Sequence, residues 1–167
     1  VDFPGYGDSD YATDKKDSYS FRGLSRFLVD FANALQLDDV LYVRHSAGGN
    51  FILESHDQLP DMSGIVLAGS TIDGKKPAEI PSMLEHKDIP LLFKSQLTRD
   101  EAQLIAAMFF KKESKIPDFV VDLILDCDPE TRPNIVNSAM NGEFDDEVEI
   151  VKQLSTPIAI FHGEHDQ

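Results

Sequence analysis

Apolar residues return every three or four positions from Phe21 through Leu24, Phe27, Leu28 and Phe31 to Leu35, the period of a helix with one buried face. Ser18 or Ser20 stands ahead of this run as a candidate cap. Three other stretches are apolar without a helical period: VLYV at Val40–Val43, SGIVLAGS at Ser63–Ser70 and PIAIFH at Pro157–His162. Short continuous runs of this kind predict strands buried in a parallel sheet. Between the first two, Gly48–Leu59 predicts a helix with Phe51, Ile52, Ser55 and Leu59 on one side, ended by Pro60. Strand, helix and strand in alternation imply an α/β architecture with right-handed crossovers. The opening segment Asp2–Asp17, rich in Gly, Pro, Asp and Ser, reads as loop.

The pattern changes after the second strand. Residues 71–154 carry no convincing strand and several amphipathic segments, at Met83–Phe93, Arg99–Phe110, Asp118–Leu125 and Asp145–Leu154. Pro77, Pro81, Pro90, Pro117, Pro129 and Pro133 punctuate them. A helical stretch between two sheet strands predicts a cap: residues 71–154 inserted into a core made of 1–70 and 155–167.

At 167 residues the chain has room for one core, and 41% hydrophobic with 27% charged residues is ordinary for a globular domain. The balance of 15 basic against 30 acidic residues, a net charge of −15, argues against nucleic acid and against anionic membranes. No apolar run approaches the roughly 20 residues that span a bilayer. A lone Cys127 forms no internal disulfide and favours a reducing, cytoplasmic setting. The chain opens on Val1 in VDFPGYG and stops in IFHGEHDQ, both strand edges, which predicts a fragment with sequence missing at either end.

Candidate chemistry centres on VLYVRHSAGGN, Val40–Asn50. Ser46 stands between an expected strand and two glycines at an expected helix start, the layout of a nucleophile elbow. A serine hydroxyl attacks only when a base takes its proton and N–H groups meet the developing oxyanion. The elbow exposes the hydroxyl and offers the N–H of the next residue, Ala47, from a helix N-terminus. Gly48 lets strand and helix approach, and His45 reads as elbow packing rather than as the base. The G-x-S-x-G pattern nonetheless fails at its first glycine, which is Arg44 here. From these residues alone, an anion-binding turn or an inert helix cap fits as well.

Two further stretches extend the pattern. DFPGYGDSD at Asp2–Asp10, VRHSAGG at Val43–Gly49 and PIAIFHGEHD at Pro157–Asp166 together resemble the α/β-hydrolase superfamily, in order and spacing. Its members often show D-x-P-G-x-G-x-S, G-H-S-x-G-G and G-x-x-D at corresponding places. The resemblance covers nearly the whole chain and implies a mostly parallel sheet with a helical cap, lacking early strands and the C-terminal end. It implies Ser46 as nucleophile, Asp166 as triad acid and Ala47 as an oxyanion donor. The triad order Ser, acid, His places the histidine after Asp166, where only Gln167 remains. No cofactor is implied. His162, His165 and Asp166 lie too close together on one strand-to-loop segment to converge on a metal.

MSGIVLAGS and TPIAIFHGEHD look most like small-ester and lactone hydrolases, including those opening acyl-homoserine lactones. The expected partner is therefore a small ester or lactone, and the oligomeric state stays open. The rival reading is a non-catalytic ligand-binding or sensor protein on the same fold, with Arg44 as its support. Within enzymes, C–C hydrolysis and cofactor-free perhydrolysis use the same triad. Two physical expectations follow. Arg44 at a close-packed turn should cost about 1–3 kcal/mol through overpacking, so Arg44→Gly should raise stability or turnover. The isolated 167-residue chain should be unstable because sheet edges are left unpaired.

Overall fold

The computed structural model describes residues 1–75 and 87–164. Three parallel strands form one sheet in the order β1-β2-β3: β1 Val40–His45, β2 Met62–Ala68 and β3 Ile158–Phe161. Tyr42 pairs with Ile65, Arg44 with Leu67 and His45 with Ala68; on the other side Ile65 meets Ile158 and Ala68 meets Phe161. His45, Ala68 and Phe161 thus end their strands along one edge of the sheet. The helices are α1 Lys15–Ser18, α2 Phe21–Ala34, α3 Ala47–Glu54, α4 Arg99–Ala107, α5 Asp118–Asp126, α6 Thr131–Met140 and α7 Glu147–Gln153, with a 3₁₀ helix at Ile89–Phe93. Every described element between β2 and β3 is helical.

The chain divides into two compact units. One comprises Phe21–Glu79 and Gly142–Gln167 and contains the sheet. Here α2 forms where the period predicted it, burying Phe21, Leu24 and Leu28. Phe21 meets Phe51 of α3 edge-on at 5.0 Å and lies 6.0 Å from Phe144. Helix α3 packs on β1 and β2 and buries Phe51, Ile52 and Leu53 together with Tyr42, Ile65 and Leu67 of the sheet.

Two expectations for this unit need correction. The strands are not all buried on both faces. Side chains alternate across a strand, and α3 covers only the face of Tyr42, Ile65 and Leu67, so Leu41 and Val43 are 56% and 58% exposed and Phe161 is 62% exposed. Helix α3 also stops at Glu54 rather than running to Leu59. Its C-cap is Ser55, whose hydroxyl donates to Phe51 O and Ser25 O. That local bond and the turns after it replace helical continuation.

The other unit, Val1–Ser20 with Ile80–Asn141, carries the opening loop and most of the helices. Ala102 and Ala106 of α4 pack on Val121 of α5, with Leu97, Ile116, Val120 and Ile124 around them. Thr98 and Glu101 form a reciprocal capping box at the start of α4. Helix α6 escaped the sequence reading because Pro133 looked like a breaker. It is the third residue of the helix, where its missing N–H has no intrahelical partner to lose. The segment expected at Met83–Phe93 falls partly outside the described residues; the remainder is the 3₁₀ turn.

The DFPGYGDS loop is held by its own side chains. The Asp2 carboxylate accepts from Asp8 N, and Ser9 Oγ donates to Asp2 O at 2.8 Å. Gly7 adopts φ +53, and a Cβ there would stand 2.3 Å from Asp2 Oδ2. Buried Asp128 anchors the loop from α6's side, donating its N–H to Gly5 O and accepting from Tyr19 Oη and Lys15 Nζ, each at 2.8 Å.

Candidate active site

The strand ladder of β1 runs one residue past its end: Ser46 N donates to Ala68 O at 3.0 Å. The backbone then turns at Ser46 with φ 52 and ψ −137, and α3 begins at Ala47. This is a left-handed conformation for a residue with a side chain, costing about 1–3 kcal/mol, and it persists only where neighbours enforce it. Two of them do. Ser46 O accepts from Gly49 N at 2.9 Å and from the hydroxyl of buried Ser70 at 2.8 Å. An ordinary capping serine holds extended backbone angles and accepts from the second or third helical N–H. Ser46 has neither feature: its side chain makes no capping hydrogen bond. The inert-cap alternative therefore fails.

Ala47 is the first residue of α3, so its N–H belongs to the four that lack an intrahelical acceptor, at the positive end of the helix dipole. The candidate nucleophile and the candidate oxyanion donor are thus adjacent, on a turn fixed from behind.

The two glycines are required by two different neighbours. A Cβ on Gly49 would stand 2.5 Å from Ser70 Oγ and 2.9 Å from Leu67 Cδ2, so α3 touches β2 there. A Cβ on Gly48 would stand 3.0 Å from Arg44 Nε and 3.4 Å from its Cζ. The half-buried side chain of Arg44 lies in the space that Gly48 leaves open. Burial lowers the pKa of its guanidinium. His45, on the other face of β1, is exposed, so packing at the turn falls to Arg44 and the glycines.

A buried polar network that the sequence reading missed lies against the elbow helix. Asn50, on the first turns of α3, donates through Nδ2 to Thr71 O at 3.0 Å and to Glu147 Oε2 at 2.8 Å. Glu147 Oε2 also accepts from Asp73 N at 2.8 Å, while Glu147 N donates to Asp73 O at 3.0 Å. Glu147 is wholly buried, and its Oε1 has no hydrogen-bond partner among the described residues. Burial, with Asp73 and Glu54 nearby, pushes its carboxyl up to about 8, against the lowering effect of its two donors. Glu54, at the end of α3, accepts from Asp145 N, and burial raises its carboxyl too. The available signal was the pair of polar residues, Asn50 and Glu54, four apart on an otherwise apolar short helix.

Asp166 and His165 lie outside the described residues; β3 ends at Phe161, on the same sheet edge as Ser46. No cluster of three or more metal-ligating side chains occurs among the described residues, and no described helix is long and apolar enough to cross a membrane.

Comparison with known protein families finds no match, and comparison with curated proteins finds none either. Solved structures do match. The N-acyl homoserine lactonase AidH, complexed with N-hexanoyl homoserine lactone as a point variant, is similar over 98% of this chain, with a TM-score of 0.82 and 21% identity. An esterase from Exiguobacterium antarcticum covers 98% with a TM-score of 0.73 and 19% identity. A bromoperoxidase from Bacillus anthracis covers 96% with a TM-score of 0.60 and 16% identity. The chain spans 59%, 62% and 61% of those three chains. With an alpha/beta fold family hydrolase from Bacillus anthracis str. Sterne also similar over 99% of the chain, the strained turn, the parallel sheet and these likenesses agree: the chain has the α/β-hydrolase fold.

Proposed function

We propose that this chain is part of a serine hydrolase that cleaves a carboxylic ester or lactone through an acyl-enzyme. The observation that carries the reading is Ser46 itself, held at φ 52 between a parallel strand and α3 with its hydroxyl not spent on capping. In the reaction, Ser46 Oγ attacks the substrate carbonyl and its proton passes to a histidine. The family resemblance puts that histidine after Asp166 in chain order. The carbonyl oxygen becomes an oxyanion and accepts from Ala47 N–H. The carbonyl re-forms, the ester C–O bond breaks, and the histidine returns the proton to the departing alkoxide. Water then attacks the acyl-enzyme by the same route and releases Ser46. Asp166 orients the histidine and stabilises its cation.

The similarity to a lactonase and an esterase supports an ester or lactone as substrate class. The test is labelling of the full-length protein by a fluorophosphonate. Label on wild type and none on Ser46→Ala is expected. Equal labelling of both proteins would end the proposal, and saturable ligand stabilisation without label or turnover would favour a binding protein on this fold.

A further inference from the structure

We infer that Glu147 is a positioning residue for the elbow: from its buried place at the start of α7 it ties the first turns of α3 to the segment after β2, and a buried charge on its carboxyl loosens this tie. The inference rests on the catalytic reading of Ser46 for its effect on rate, and on geometry for the tie itself.

The geometry is a closed set of bonds behind the turn. Ser46 O is gripped by Ser70 Oγ, and four residues on, Asn50 is gripped by Thr71 O and Glu147 Oε2. Glu147 in turn exchanges two bonds with Asp73, at 2.8 and 3.0 Å. Residues 70–73 and Glu147 therefore clamp the N-terminal half of α3, which bears the Ala47 N–H. A displacement of about 1 Å in an oxyanion donor is enough to lower a rate by roughly a hundredfold.

The charge state follows from what faces the carboxyl. Glu147 Oε1 has no donor among the described residues. Among the described residues, the ionisable groups acting on Glu147 are acidic: Asp73 from the segment after β2 and Glu54 from α3. The nearby cations Arg22 and Lys75 pair with Asp145 instead. An ionised Glu147 would place a charge in a buried site with no cation paired to it among the described residues, and the relief available is movement of the groups that clamp α3. A neutral carboxyl keeps every bond just named.

The experiment uses the full-length protein and fluorophosphonate labelling rates from pH 5.5 to 9.5, for wild type, Glu147→Gln and Glu147→Ala, each checked for a cooperative melt. Wild-type rates should rise to a plateau and fall several-fold above about pH 8. Glu147→Gln, which keeps shape without titrating, should remove the alkaline fall, and Glu147→Ala should label slowly at every pH. An alkaline fall unchanged in Glu147→Gln overturns the inference. The backbone amide shifts of Ala47–Asn50 are read in parallel by NMR. They should titrate in wild type and not in Glu147→Gln, and identical titrations overturn the tie. If Ser46→Ala retains the label, the catalytic reading falls, and these amides alone decide the role of Glu147.

Discussion

Replacing Glu147 by glutamine should stabilise the protein, increasingly so as pH rises. The unfolded chain releases this proton near the ordinary 4.5, whereas the folded protein holds it to about 8. Between those values the native state binds more protons than the unfolded state, so stability falls as pH rises. The contribution is intact below 4.5, declines through the window and levels off above about 8. At about 1.4 kcal/mol per pH unit, the loss reaches on the order of 3–5 kcal/mol. Glutamine has no such window. Its amide oxygen can keep the bonds from Asn50 and Asp73, while any misfit of its NH₂ adds an offset independent of pH. The slope is therefore the diagnostic quantity. Urea denaturation of both full-length proteins at pH 5, 6.5 and 8.5 measures it. The difference in unfolding free energy should grow by several kcal/mol across the series. A difference that stays flat within about 0.5 kcal/mol would mean that Glu147 ionises normally and that the argument from burial is wrong.

Gly49→Ala should lower stability by about 1–3 kcal/mol, because its Cβ meets Ser70 Oγ and Leu67 Cδ2 at sub-contact distances; an unchanged urea midpoint would count against the close approach of α3 to β2. Arg44 and Gly48 should be coupled: Gly48→Ala costs stability beside Arg44 and less in an Arg44→Gly background, giving an interaction of about 0.5–2 kcal/mol in a double-mutant cycle. Strict additivity would show that the arginine does not fill that space. Asp128→Ala strips the buried partner from Tyr19 and Lys15 and should cost about 2–4 kcal/mol, seen as a lowered melting temperature. Asp128 is also a source of acid sensitivity. Burial works to raise its carboxyl, but bonds from Lys15, Glu130 N–H and Tyr19 outweigh this and hold it below the usual value. Its contribution is present above the unfolded pKa and lost as pH falls through the folded one, and Asp128→Asn should flatten that acid limb.

How much was legible beforehand differs between the backbone and the network behind it. Period and apolar runs were enough for α2, the three strands and most of the helices between β2 and β3. Both signals arise from burial of one element's own face and need no knowledge of its neighbours. The place of Ser46 was equally visible, because a strand, a small-residue turn and a helix start are consecutive in sequence. Whether that serine caps its helix was not legible. The answer depends on the dihedral angles that Ala68, at the end of β2, and Ser70, just after it, enforce from 22 and 24 residues away. The same holds for Arg44. One residue type in a pattern marked it as a misfit, while its actual fit depends on the volume left by Gly48 across the turn. Glu147 shows the limit most sharply. On the sequence it is one acid among 30, and only the fold buries it, sets Asn50 and Asp73 against one oxygen and leaves the other without a donor among the described residues. Local pattern determined which elements form, because it records each segment's own exposure. Tertiary contact decided what the site's side chains do, because charge, strain and free volume belong to neighbours that are distant in the chain.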